Sequence, residues 1–319
     1  MFRENEIGLR RGTNPMIEDI MVFAGSPMHR ASNERRDETW VAQARANPDG
    51  CYLPLVDLKF PVTTSGSVQL FWGDSSWLQK AGPSVEPVLL GVLNERPHFA
   101  FDASAVSDPE AAFDLGGVAQ FGGLREVVPT LSQAEAGITS QARSLLDWHK
   151  RHPFCAACGT PTASRNGGSS RHCESCDTSH FARVDPVSIV VVTHGTRCLL
   201  GRSGRFRGRM YSALAGFIEP GESLEEATRR EVLEESGIEV GAVQYVSSQP
   251  WPFPSSLMIG CMAQGLSEEI TVDEEELADV QWFERDFIKA VLEGHSRDIS
   301  LPQPLAIARH LITKWAYEV

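Results

Sequence analysis

The chain has 319 residues, 42% hydrophobic and 22% charged, the make-up of a soluble globular protein long enough for two or three modules. No stretch approaches the roughly eighteen consecutive apolar residues that a membrane span needs. The net charge of −13 argues against broad nucleic-acid binding through an extended basic surface, while leaving room for a local basic rim around an acidic pocket. In chain order, residues 1–150 mix short apolar runs with turn residues. Residues 53–56, 87–93 and 98–101 are predicted strands punctuated by Gly, Pro and Asp. Residues 132–149 form a predicted helix, because Ile138, Ala142, Leu145, Leu146 and Trp148 recur at helical spacing. Residues 151–185 form a short cysteine-bearing segment, with residues 164–170 expected as a flexible loop from their Gly and Ser content. From residue 186 to 319 strands and helices alternate. Strands are predicted over 187–193, 197–201, 240–248, 257–264 and 280–283, and helices over 223–236, 286–293 and 303–317. The fold class expected from this order is α+β, with a strand-rich N-terminal domain, a small metal module and a third domain that alternates strand and helix.

Residues 1–6 lack the apolar core of a secretory signal, and the last residues carry no lipidation or peroxisomal tripeptide. A cytoplasmic location is the expectation. The chain has seven cysteines, an odd number, and four of them form two tight pairs. Cys155-Ala156-Ala157-Cys158 and Cys173-Glu174-Ser175-Cys176 are CxxC pairs with fourteen residues between them. Two such turns supply the four thiolates that tetrahedral zinc prefers, and a filled shell leaves no position for water. The expectation is one structural Zn²⁺, in place of two disulfides or a redox pair. His172 and His180 are read as surface residues.

The densest chemistry lies in residues 214–238. Gly216 and Gly221 bracket a turn containing Pro220. Ser223 with Glu226 makes a capping box, and Gly237 stands at the usual C-terminal glycine position. Leu224, Ala227, Val232 and Leu233 can cover a core. Glu231, Glu234 and Glu235 share one face at i, i+3 and i+4, where like charges repel one another and oppose the helix dipole. A hard divalent cation would remove both penalties, which points to Mg²⁺ or Mn²⁺ and to phosphate chemistry. A solvated acidic helix face is the plain alternative, and spacing by itself leaves the two about even.

This stretch resembles the Nudix box, G-x5-E-x7-R-E-U-x-E-E-x-G-U with U a bulky apolar residue. Gly216, Glu222, Arg230, Glu231, Val232, Glu234, Glu235, Gly237 and Ile238 fill every fixed position. The resemblance implies an α/β/α sandwich with a mixed sheet, and metal-dependent hydrolysis of nucleoside diphosphates linked to another moiety. It also implies residue roles. Glu231 and Glu235 are metal ligands with the Ala215 carbonyl, Glu234 is a further ligand or a base, and Arg230 orients the carboxylates through Glu222.

Downstream, Ser248-Gln249-Pro250-Trp251-Pro252-Phe253-Pro254-Ser255-Ser256 reads as a rigid, proline-spaced loop presenting two aromatic rings. Those rings could stack on a base or serve as ordinary packing. The run resembles the S-Q-P-W-P-F-P-x-S motif of the NADH pyrophosphatases, a Nudix subfamily that also carries a four-cysteine zinc module before the Nudix domain. Trp148-His149 with Phe154-Cys155 and, less closely, Phe23-Ala24-Gly25-Ser26-Pro27 add to the likeness. It implies a homodimer that cuts NADH or NAD⁺ to AMP and nicotinamide mononucleotide, some members also removing NAD caps from RNA 5′ ends. Gln249, Pro250, Trp251, Pro252, Phe253, Pro254, Ser255 and Ser256 would line the dinucleotide site. Phe217 would stack on a ring, Glu276 would be the distant metal ligand, and Ala308 falls at a substrate contact. The subfamily's Tyr-Pro pair is replaced by Phe181-Ala182, which keeps a ring and loses a hydroxyl. The competing readings are a broader Nudix pyrophosphatase acting on ADP-ribose or dinucleoside polyphosphates, and a nucleotide sensor that does not cleave. RNA binding through the zinc module has only Arg165, Arg171 and Arg183 in its favour.

Overall fold

The computed structural model describes residues 21–204 and 208–318. Residues 1–6, read above for a targeting signal, lie outside them, as does Val319.

The N-terminal region folds through α1 (Glu38–Ala46), β1 (Cys51–Leu55), β2 (Phe60–Thr63), α2 (Ser75–Ala81), β3 (Val88–Leu93), β4 (Arg96–Asp102), α3 (Pro109–Ala112), β5 (Ala119–Gly122), α4 (Leu124–Val127) and α5 (Gln133–Arg151). The strands β1, β4 and β3 form one sheet, and β2 pairs β5 in a second. The predicted strands are there because Leu53, Leu55, Leu89, Leu90, Phe99 and Phe101 are all buried. Ser132 caps α5 through a reciprocal pairing with Glu135.

The cysteine module is a three-stranded ribbon of β6 (Ala163–Arg165), β7 (Ser170–Cys173) and β8 (Thr178–Phe181). Here the structure corrects the expectation of a flexible loop over 164–170. Gly167 and Gly168 are buried, and both have positive φ, at 59° and 87°. A Cβ at Gly168 would stand 2.6 Å from Val88, so the missing side chain is what lets the ribbon dock on β3. His149 on α5 meets the Gly168 carbonyl at 2.8 Å and so ties the same contact.

The third region comprises β9 (Asp185–His194), β10 (Arg197–Arg202), β11 (Leu214–Phe217), α6 (Leu224–Ser236), β12 (Val240–Trp251), β13 (Ser256–Gly265), β14 (Asp279–Glu284), α7 (Arg285–Leu292) and α8 (Ile307–Glu318). Its sheet runs β12-β13-β9-β10-β14, with β11 paired to β9. The β13–β9 pairing is parallel and the others are antiparallel, so the sheet is mixed. Leu224 and Val232 of α6 pack on one face, and Leu311, Ile312 and Trp315 of α8 with Ile288 of α7 on the other. This is the α/β/α sandwich expected. Leu233 departs from the reading, being half exposed on the side of α6 away from the sheet.

Two boundaries moved. Residues 248–256 are not a free loop: β12 continues through Trp251 and pairs back onto β13, leaving only residues 252–255 as the turn. Pro250 is tolerated in a strand because β12 is the sheet edge. The last helix begins at Ile307, not at residue 303, because residues 303–306 form a separate turn in which the Ala306 N–H donates to the Gln303 carbonyl at 3.0 Å. No helix among the described residues is long and apolar enough to cross a membrane.

Candidate active site

The capping box of Ser223 and Glu226 starts α6, and Gly237 at φ 72° ends it. Between them Thr228 bonds Ser188 of β9 at 2.7 Å, which fixes the helix's rotation over the sheet. That rotation brings the carboxylate face against β11. A Cβ at Gly216 would lie 1.8 Å from the Glu231 carboxyl carbon, so only glycine allows the strand and the carboxylate to approach so closely. Ala215, Gly216, Phe217, Arg230, Glu231, Glu234, Glu235 and Glu276 line one open cavity of about 810 Å³. Glu274 and Glu275 also line it. The exposed Phe217 ring borders the same space.

Arg230 organises this cavity. It donates to both oxygens of Glu222 at 2.6 and 2.9 Å, to Glu231 and Glu234 at 2.9 Å each, and to the Phe217 carbonyl at 2.9 Å. A planar fork can serve that many acceptors at once; an ammonium cannot hold the same geometry. These bonds hold the Glu222 carboxyl down to about 2. Glu235 is in the opposite condition. It is 6% exposed, and its Oε2 is buried without a hydrogen-bond partner. Burial, then the charges of Glu231 and Glu276, push its carboxyl up to about 8. Burial also raises Glu231. An unpaired buried carboxylate oxygen beside two more carboxylates is what a divalent cation would complete, so the residues fit one.

A second cavity of about 510 Å³ adjoins the first, sharing Ile189 and Ser212 with it. Trp251 and Ala308 line it. Gln249 is fully buried, and its amide is committed to the backbone of the surrounding chain. It donates to the Val22 and Leu305 carbonyls at 3.1 and 2.8 Å and accepts from the Ile307 N–H at 2.8 Å, capping α8. Pro252, Phe253 and Pro254 face the N-terminal region: Arg143 donates to the Pro252 carbonyl at 2.8 Å, and Ser144 bonds the Pro254 carbonyl at 3.4 Å. Ser255 bonds Asp185, and Ser256 opens β13. Phe23, Trp251 and Phe253 meet edge to face at 5.4–5.9 Å. Trp251 therefore both packs and lines a wall of the second cavity, while Phe253 packs against its neighbours. Phe181 and Pro250 border a different cavity, and within one chain the structure does not bring Phe181 to the carboxylates.

Arg125 escaped the sequence reading. Its guanidinium sits 4.1 Å from the Phe253 ring centroid and 5.7 Å from that of Trp251, and it lines the second cavity. It comes from α4, more than a hundred residues before the hairpin, and no local pattern marks it.

In the ribbon, the four sulfurs of Cys155, Cys158, Cys173 and Cys176 all lie within 4.8 Å of one another. That donor set suits zinc. His180 approaches the Cys155 sulfur at 3.2 Å, nearer the centre than a plain surface histidine.

Family models match three consecutive segments. Residues 35–148 match an NADH pyrophosphatase-like rudimentary NUDIX domain, residues 150–181 an NADH pyrophosphatase zinc ribbon domain, and residues 182–301 a NUDIX domain. An NAD-capped RNA hydrolase of Macaca fascicularis is 52% identical over 95% of this chain and 75% of its own length. One from Schizosaccharomyces pombe is 38% identical over 93% of each chain, and one from Stutzerimonas stutzeri 36% identical over 74% of this chain and 80% of its own. The chain belongs to the Nudix hydrolases, in the NADH pyrophosphatase branch that joins a rudimentary Nudix-like domain, a zinc ribbon and a Nudix domain.

Proposed function

We propose that this enzyme hydrolyses the pyrophosphate linkage of NADH or NAD⁺, giving AMP and nicotinamide mononucleotide, and that the same cut removes an NAD cap from RNA. The observation that carries this reading is the joining of two cavities through Ile189 and Ser212, one walled by carboxylates and the other by Trp251, Ala308 and Arg125. A dinucleotide has the same two-part chemistry, a charged pyrophosphate beside a flat ring. The relatives named as NAD-capped RNA hydrolases support the substrate class.

In this reading Glu231, Glu235, Glu276 and the Ala215 carbonyl hold Mg²⁺ or Mn²⁺. The ion, when bound, draws charge from the phosphate oxygens and favours attack by water. Arg230 keeps Glu222, Glu231 and Glu234 in register. Glu234, the most exposed of the three partners, takes the proton of the attacking water. Water adds to one phosphorus, the bond from that phosphorus to the bridging oxygen breaks, and the bridging oxygen leaves with the other nucleotide. Phe217 and Trp251 offer ring faces to the two ends of the substrate. On the family resemblance we propose that the enzyme works as a homodimer, and we further propose a cytoplasmic location; sedimentation over a range of concentrations and localisation of the tagged protein would check them.

The decisive assay compares kcat/KM for NADH, NAD⁺, ADP-ribose and an NAD-capped RNA, with the products identified. AMP and the reduced nicotinamide mononucleotide are expected from NADH, and AMP and the oxidised mononucleotide from NAD⁺. A large preference for ADP-ribose would overturn the assignment in favour of a broader Nudix pyrophosphatase.

A further inference from the structure

A third cavity, of about 590 Å³, lies where the segment before α1, the α5 helix and the end of the ribbon meet. None of the catalytic carboxylates borders it. Among the described residues its lining includes Arg30, Arg35, Arg36 and Arg183 and no Asp or Glu, in a chain that carries 42 acidic residues against 29 Lys and Arg. Arg183 is paired with Asp185. Arg30, Arg35 and Arg36 have no carboxylate within ion-pair distance among the described residues.

Arg35 is the informative one. It is only 7% exposed, and it spends one donor on the Leu89 carbonyl at 3.1 Å. Its Nε is buried with no partner. A guanidinium has five donors and cannot shed its charge, so burying it unpaired is unfavourable. Burial and the neighbouring Arg30 charge both act against it. Ser140, Asn166 and Ser169 add neutral hydrogen-bonding groups to the same wall. Three cations, one of them buried and lacking a counter-ion, beside neutral donors and with no acid among the described residues, are the complement of a multiply charged oxyanion.

We propose that this cavity is a phosphate-binding site apart from the carboxylate cleft of the same chain, which holds a phosphate of the RNA body or of a free nucleotide. The RNA source rests on the reading of capped RNA as a substrate; the anion site does not.

The test uses the full chain and three probes: inorganic phosphate, a 5′-phosphorylated uncapped RNA decamer, and NADH. Arg35→Met keeps the packing and removes the charge, and Arg30→Ala changes an exposed residue with little risk to folding. Phosphate should raise the Tm of the parent protein and not that of Arg35→Met, and should bind Arg30→Ala roughly tenfold more weakly. If the RNA body is the source, both variants weaken decamer binding and lower its slope of log affinity against log salt by about 1. If a free nucleotide is the source, the phosphate effect is lost while decamer binding is unchanged. NADH turnover should stay as in the parent. Equal phosphate responses in parent and variants would overturn the proposal, as would an Arg35→Met protein that is less stable with and without phosphate. Failure of the parent to cleave NADH would instead strike the hydrolase reading and leave the anion site standing.

Discussion

The chain has two places built for metal, and it completes them to different degrees. In the ribbon, four sulfurs converge within 4.8 Å of one another. In the cleft, Glu231 and Glu234 are drawn to Arg230, Glu235 is sunk beneath them without a partner, and Glu276 comes from a separate loop. The ribbon is closed and the cleft is open. A structural site gains by filling every position, because the metal replaces a core too small to fold alone. A catalytic site must leave room for substrate, so its charge is balanced by an arginine that can share its partners.

The contrast can be broken most sharply at Glu235. Glu235→Gln should lower kcat by about 10³-fold or more, as removal of one member of a cooperating catalytic set does, with the circular dichroism unchanged. An unaltered rate would remove the catalytic role of α6. At the closed centre, Cys173→Ser or zinc removal should unfold the ribbon, since apparent zinc binding in such modules is on the order of 10 kcal/mol. Zinc release followed with a coloured chelator, together with loss of ribbon protection in hydrogen exchange, would show it. A ribbon that stays folded without metal would refute the structural assignment. A smaller effect is expected at Gly216→Ala, whose Cβ would collide with the Glu231 carboxyl group 1.8 Å away. It should cost about 1–3 kcal/mol of stability through overpacking and reduce turnover by displacing Glu231, seen in a melting curve and a rate on one preparation. The mildest test is of pH. Glu235 is pushed up to about 8 from an ordinary 4.5, so the folded metal-free protein keeps a proton that the unfolded chain has lost. Its contribution is fully present below about pH 4.5 and is lost as pH rises toward 8. Thermal melts should therefore show metal-free stability declining over that window, and added Mg²⁺ should flatten the decline.

Much of the catalytic face was legible because it is local. Spacing of three and four puts Glu231, Glu234 and Glu235 on one side of any helix, and the Ser223 and Glu226 pair announces where that helix starts. The CxxC turns were legible for the same reason. The hairpin was harder. A run with three prolines in a few residues looks like a loop, yet the sheet edge has no need of the missing N–H at Pro250, and the strand persists through Trp251. Residues 164–170 misled in the other direction, since their glycines mark close approach to Val88 and Leu89, not mobility.

From the sequence by itself came the two metal-bearing patterns, the caps of the catalytic helix, the alternation that makes a mixed sandwich and the family resemblance. Only the tertiary structure decided that Gln249 caps α8 from a buried position, that Arg125 walls the second cavity, and that Arg35 lies buried without a counter-ion. Periodicity within one element fixes which side chains share its face. Contacts between segments a hundred residues apart depend on how whole elements pack, and no short window of sequence records that.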